Sequence, residues 1–193
     1  MGRISVNPDA TISGLINLLL YGAVFWLTFQ LTRSPERAQT LIRTISYVGC
    51  AYAIYGIVIF MTGNEWVVIY PKTAYLDSVT STFVNRNTYA TFAGLSLLCA
   101  TVLLLNHMKP FFALKHPLRT KLVLITEELL VKSTFKTLAV LSIAVSLLLS
   151  ASRAGIFSSV IGLSVLLLIF LWQQNLKVRH VFYALATICI LAA

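Results

Sequence analysis

Two arginines, Arg86 and Arg153, each stand immediately before a long apolar run of the chain. Arg86 lies in the segment FVNRN. Arg153 lies in the segment SASRAG, between two apolar runs that almost no polar residues separate. The first turn of a helix carries unpaired backbone N–H groups and a partial positive charge. An arginine at that position adds a planar set of N–H donors that matches the geometry of phosphate. The two residues therefore predict a binding site for an anionic, phosphate-containing ligand.

The composition shows where these helices lie. Of the 193 residues, 58% are hydrophobic and only 11% are charged, with a mean hydropathy of +0.85. A soluble domain is about half apolar and about a quarter charged. The chain is therefore predicted to be an integral membrane protein, and its net charge of +9 is better explained by basic cytoplasmic loops than by a nucleic-acid partner. We therefore expect membrane lipids as partners and do not expect a nucleic acid.

Six apolar segments give the predicted architecture, since a span needs about 20 apolar residues. We expect an all-α, polytopic transmembrane bundle that forms a single integral membrane domain, residues 1–193. Five segments are predicted as full spans and the sixth as the start of one, so the chain is interpreted as a fragment. The segments are Ala10–Leu31, Thr44–Met61, Thr88–Leu105, Ser133–Ser150, Ala154–Trp172 and the shorter Val181–Ala193.

The basic residues predict the orientation of these spans. With the connections alternating between the two sides, eleven of the 15 basic residues fall on one side and four on the other. The richer side is cytoplasmic by the positive-inside rule. The four on the opposite side are Arg3, Lys72, Arg86 and Arg153.

That orientation bears on the two arginines. A single arginine at the start of a helix has a plain structural alternative, namely that it marks the membrane boundary. This alternative is weaker for the pair, because both fall on the side that is poor in positive charge. Neutral residues beside them are expected to cap the two helices and to offer further donors; these are Asn85, Asn87 and Ser152.

Two other segments have a predicted structural role. The cytoplasmic connection 107–132 carries leucine and isoleucine at helical spacing among charged residues, which predicts an amphipathic helix on the membrane surface or a solvated linker helix. Small residues recur every four positions around Arg153, which favours close helix packing, so Gly155 is predicted to pack against another helix and not to bind a ligand. The two series are Ala151, Gly155, Ser159 and Ala154, Ser158, Gly162.

Neither histidine nor cysteine predicts a metal site. His107, His116 and His180 all fall on the cytoplasmic side and have no cysteine or carboxylate at metal-ligand spacing. The three cysteines lie far apart within apolar runs and without a CxxC pair. No cofactor is therefore predicted.

The segments FVNRNTYATFAG (83–94) and SASRAG (150–155) resemble two hallmarks of the O-antigen ligase and O-antigen polymerase superfamily. In that family an Asn-x-Asn-x-x-Ala stretch opens one transmembrane helix, and a Ser-Arg-(Ala/Gly)-Gly-like stretch opens a later one. The resemblance covers approximately residues 34–172, including the basic connection between the motifs.

The resemblance implies a GT-C-like membrane glycosyltransferase of the bacterial inner membrane, acting in lipopolysaccharide or other cell-envelope polysaccharide biosynthesis. Its donor would be a glycan linked to undecaprenyl pyrophosphate, presented on the periplasmic side. The acceptor would be a sugar hydroxyl of lipid A-core for a ligase, or of a growing polysaccharide for a polymerase, and this choice stays open. The family uses neither ATP nor a metal.

The resemblance also implies roles for individual residues. Arg153 matches the arginine that engages the pyrophosphate, and Arg86 belongs to the other hallmark, so these two are the candidate catalytic residues. Asn85, Asn87 and Ser152 are the candidate substrate-binding residues. Both arginines would face the periplasm.

The family supplies its proton acceptor from a large late periplasmic loop, which this sequence does not contain. None of the carboxylates on the predicted outer side, Asp9, Glu65 and Asp77, matches a family motif. We therefore expect the chain to be incomplete as a catalyst. The alternatives are a transporter or flippase component with an anion path, and an inactive membrane fragment.

Overall fold

The structure is a computed structural model that describes residues 7–63, 66–113 and 118–173, and it is mostly helical. The two short strands pair antiparallel, with Trp66 opposite Pro71. In chain order the elements are α1 (Pro8–Leu31), α2 (Pro35–Met61), β1 (Trp66–Val67), β2 (Tyr70–Pro71), α3 (Arg86–Ala113), α4 (Leu118–Glu127), a π-helical turn (Glu128–Lys132), α5 (Thr134–Leu149) and α6 (Arg153–Gln173).

Four helices are long and apolar enough to cross a membrane, namely α1, α2, α3 up to Pro110, and α6. The fourth predicted span, Ser133–Ser150, corresponds to α5, an apolar helix of 16 residues that is shorter than these four, so the count of five full spans stays a prediction. At about 1.5 Å per residue such a helix extends about 24 Å, less than the hydrocarbon thickness of about 30 Å. The helix ends where Ala151 takes a left-handed backbone, with φ of 52°. The predicted sixth segment, 181–193, lies outside the described residues.

The residues group into two compact units, Met1–Leu41 and Ile42–Ala193. In the first unit, α1 begins at Pro8, and the side chain of Asn7 accepts a hydrogen bond from the backbone N–H of Ala10 at 3.2 Å. Proline suits this position because the first helical N–H groups have no partner within the helix. The rest of α1 is mainly apolar, as suits a helix in lipid. A single domain over residues 1–193 stays a prediction.

In the second unit, α3 packs against both α5 and α6. Tyr89 of α3 is fully buried, and its hydroxyl donates a hydrogen bond to Ser146 Oγ of α5 at 2.7 Å. Because most core side chains are small, the helices approach closely. The buried core comprises Cys50, Ala53, Val79, Tyr89, Ala90, Ala93, Leu97, Ala100, Ala139, Ile143 and Leu147.

Glycines form the contact between α3 and α6. A Cβ atom added at Gly155 would meet Ala90, and one added at Gly94 would meet Ser159. Successive contacts advance by four residues on both helices, so α3 and α6 run in the same direction. Gly155 is thus confirmed as a packing residue.

Both predicted series of small residues contribute to the contact with α3. Gly155 and Ser159 of the first series are buried against α3, and Gly162 of the second lies against it one turn further on. The other members of the two series, Ala151, Ala154 and Ser158, are exposed.

The parallel helices define the two ends of the bundle. We call the end with the first residues of α3 and α6, Arg86 and Arg153, the arginine end. The opposite end carries Lys109 of α3 and Lys136 of α5, and we call it the lysine end.

The connection at the lysine end differs from the prediction in where it starts. α3 continues through His107 and Pro110 to Ala113, so the first residues of the predicted loop are helical. The predicted helix in this connection is confirmed as α4, although its amphipathic face and its place on the membrane surface stay predictions.

His107 has a carboxylate partner that its sequence neighbours did not indicate. His107 Nε2 lies 2.8 Å from Glu128 Oε1, and Lys132 Nζ lies 3.2 Å from Glu128 Oε2. Burial would raise the pKa of Glu128, but the hydrogen bonds from His107 and Lys132 outweigh it and hold this pKa below its ordinary value. The π-helical turn that carries Glu128 is thereby tied to α3.

Candidate functional site

The first residues of α3 place Arg86 at the mouth of a capped helix. Asn85 Oδ1 accepts a hydrogen bond from the backbone N–H of Asn87 at 2.8 Å. The carbonyl of Asn85 accepts the first helical bond, from the N–H of Tyr89, at 3.1 Å. An asparagine that makes these two bonds is an N-cap, so the capping role predicted for Asn85 is confirmed.

The start of α6 is built in a similar way. Ser152 Oγ accepts a hydrogen bond from the N–H of Gly155 at 3.3 Å, and the Ser152 carbonyl accepts one from Ile156 at 2.9 Å. The residue before the cap, Ala151, has a left-handed backbone with φ of 52°, a conformation that costs a non-glycine residue about 1–2 kcal/mol. This turn lets α6 begin directly after α5. The two hydrogen bonds confirm the capping role predicted for Ser152.

A single hydrogen bond joins the two helix starts. Ser152 Oγ donates to Asn87 Oδ1 at 2.8 Å, across 65 residues of sequence. One hydroxyl can make this bond and also accept from Gly155, because it has one donor and two lone pairs. Since α3 and α6 are parallel, the positive ends of both helix dipoles lie side by side at the arginine end. The structure thus brings the two sequence motifs together.

Arg86 is held by an aromatic ring. Its guanidinium lies over the ring of Tyr75, 5.2 Å from the ring centroid, within the range of a cation–π interaction. Its Nε is buried and has no hydrogen-bond partner among residues 7–63, 66–113 and 118–173. Buried N–H groups rarely stay unpaired in folded proteins, so this donor sets Arg86 apart within the described residues.

Arg153 is the first residue of α6 and is exposed. In the part of the chain that the structure describes, no carboxylate forms an ion pair with it. It therefore adds an uncompensated cation to the arginine end, next to the cap residue Ser152.

The segment before α3 folds over this end of the bundle. The N–H of Val79 donates to the carbonyl of Leu149 at 2.9 Å, and Ser81 Oγ donates to the carbonyl of Tyr52 at 2.8 Å. Residues 78–81 are all buried. This segment supports Tyr75, which in turn contacts Arg86.

A third cation lies in the same segment. Lys72 Nζ donates to the carbonyl of Ser78 at 2.8 Å. Burial lowers the pKa of Lys72 below its ordinary value, and the Asp77 carboxylate opposes part of that shift. The predicted topology placed Lys72 on the same side of the membrane as the two arginines. Neither Lys72 nor Tyr75 was predicted to be part of the site, because their partners lie outside any local motif.

An open groove of about 610 Å³ lies along the first turns of α3. Asn87, Thr88 and Thr91 give it polar groups, while Phe83, Phe92 and Leu95 give it an apolar side. A groove with both kinds of lining suits an amphipathic ligand.

Comparisons with protein-family models, with curated proteins and with solved structures gave no significant match. The geometry of the arginine end is therefore the main guide to its chemistry.

Proposed function

We propose that this chain is part of an O-antigen ligase-like membrane glycosyltransferase with a GT-C-like bundle. It would transfer a glycan from undecaprenyl pyrophosphate to a sugar hydroxyl, of lipid A-core or of a growing polysaccharide, at the periplasmic face of the bacterial inner membrane. The observation that carries the proposal is the hydrogen bond from Ser152 to Asn87. It joins the two short motifs on which the family resemblance rests, although they are far apart in sequence.

The chemistry of the reaction agrees with this arrangement. The bond between the anomeric carbon and the diphosphate oxygen breaks, and its electron pair stays on the diphosphate. The acceptor oxygen bonds to the anomeric carbon and gives up its proton to a base. Fixed cations beside the leaving diphosphate stabilise the transition state more than the ground state. Arg153 and Arg86 would supply them, together with the two helix N-termini.

The neutral residues would position the donor. Asn85 and Ser152 fix the starts of the two helices, so the direction of each arginine is set by a capped turn. Asn87 stands between the helices and beside the groove. The apolar side of the groove would hold the first part of the polyprenyl chain.

The test is glycan transfer by the complete protein in proteoliposomes, with a lipid-linked oligosaccharide as donor and no ion gradient. Arg153→Ala and Arg86→Ala should each lower the transfer rate by about 100-fold or more, the usual loss when one transition-state donor is removed. Arg43→Ala is the matched control, because Arg43 is an exposed arginine of α2.

Transfer that survives Arg153→Ala would exclude the proposed role of Arg153. Movement of the lipid-linked glycan across the membrane without transfer would instead support the transporter alternative.

A further inference from the structure

A second groove opens between α3 and α6, at the lysine end of the bundle. It encloses about 220 Å³. Its lining is mainly apolar and includes three polar side chains, those of Asn106, Lys109 and Gln173. The residues that matter here are Val102, Leu105, Asn106 and Lys109 of α3 and Leu166 and Phe170 of α6.

The sequence of the two helices explains why the groove lies at this end. At the arginine end, Gly94 and Ser159 let the helices touch. One turn further on, Gly162 lies against Leu98. Beyond that point the facing residues of both helices are large, with Val102 and Leu105 on α3 and Leu166 and Phe170 on α6. Large side chains hold the two helices further apart, and a space remains between them.

The lining predicts what would fill this space. Its volume of about 220 Å³ has room for part of a hydrocarbon chain, and contact of such a chain with the apolar lining is favourable. Lys109 lines the groove and has no ion-pair partner in the described ranges. A ligand with a hydrocarbon tail and a negatively charged head would contact both the apolar lining and Lys109.

We propose that this groove binds one anionic phospholipid. Its phosphate would contact Lys109 and Asn106, and part of one acyl chain would lie against Val102, Leu105 and Leu166. The net charge of +9 favours such a lipid. The side predicted for Lys109 is cytoplasmic, and the cytoplasmic leaflet is the one that carries a negative surface potential. The inference is independent of glycan transfer at the arginine end.

The experiment is native mass spectrometry of the complete protein with phosphatidylglycerol and with phosphatidylcholine of the same acyl chains. The wild type should retain one phosphatidylglycerol in preference to phosphatidylcholine. Lys109→Ala should reduce that preference about fivefold, the effect of one lysine near an anionic surface. Lys109→Arg should retain it, because the charge remains. Lys136→Ala is the matched control, since Lys136 lies at the same end but does not line the groove.

Two further measurements test the hydrocarbon part without removing the lysine. Val102→Phe should fill the groove and lower phosphatidylglycerol retention, and soluble glycerol phosphate should not compete with the lipid. Equal retention of both lipids by the wild type would overturn the proposal. So would an equal loss in Lys136→Ala, competition by glycerol phosphate, or a photoactivatable phosphatidylglycerol that cross-links away from the groove residues.

Discussion

Replacing Ser152 with alanine tests how the two helix starts are joined. The substitution removes the hydrogen bond from the Gly155 N–H and the bond to Asn87 Oδ1. Loss of a serine cap costs about 1 kcal/mol. Hydrogen bonds between membrane helices average about 0.6 kcal/mol in double-mutant cycles. Ser152→Ala should therefore destabilise the protein by about 1.5 kcal/mol, whereas Asn87→Ala, which leaves the cap intact, should cost about 0.6 kcal/mol.

The assay is unfolding in mixed micelles, with the double variant completing the cycle. The coupling energy between Asn87 and Ser152 should be about 0.6 kcal/mol. Ser158→Ala is the matched control, because Ser158 is an exposed serine of α6 whose hydroxyl, among the described residues, bonds to Gly155 of the same helix. Its effect should stay below about 0.5 kcal/mol. Additive effects at Asn87 and Ser152, or an equal loss in Ser158→Ala, would refute the reasoning.

Three further variants test other features of the structure. Gly155→Ala should lower the free energy of unfolding by about 1–3 kcal/mol through overpacking, whereas Gly22→Ala, where nothing lies within 4 Å of an added Cβ, should be neutral or stabilising in the same unfolding assay. Tyr75→Ala should weaken diphosphate-lipid binding about two- to fivefold by releasing Arg86, and Tyr75→Phe should not. Because the pKa of Glu128 is lowered from its ordinary 4.5, its stabilising contribution should be present at neutral pH and be lost as the pH falls below about 4.5; acid titration of Glu128→Gln should lack this loss.

Several features were predictable from sequence because their causes are local. Apolar runs of sufficient length located the long helices. Small residues at spacing four indicated a packing surface, and Gly155 proved to be part of it. Asn85 and Ser152 precede the apolar runs directly, so their capping roles could also be predicted.

Other features depend on contacts between distant segments. Nothing near Tyr75 in sequence indicates that its ring lies under Arg86, and nothing near His107 indicates Glu128. α5 ends just before the left-handed turn at Ala151, a residue type that seldom takes this conformation. Hydropathy alone continued the predicted span through Ser150.

The position of the site residues relative to one another was predictable only in part. The predicted topology placed Arg86 and Arg153 on one side of the membrane, but it did not predict that their helices would be in contact. That contact depends on the match between two glycines and their partners across α3 and α6.

The central claim is that Arg86 and Arg153 bind one diphosphate. Its most direct test is the affinity of the complete protein for undecaprenyl pyrophosphate in nanodiscs, measured for Arg86→Ala, Arg153→Ala and the double variant. Each single change should weaken binding at least tenfold, and the double change should weaken it by less than the product of the two, because groups that share a ligand are coupled. Unchanged affinity in Arg153→Ala, or fully independent effects of the two changes, would contradict the account.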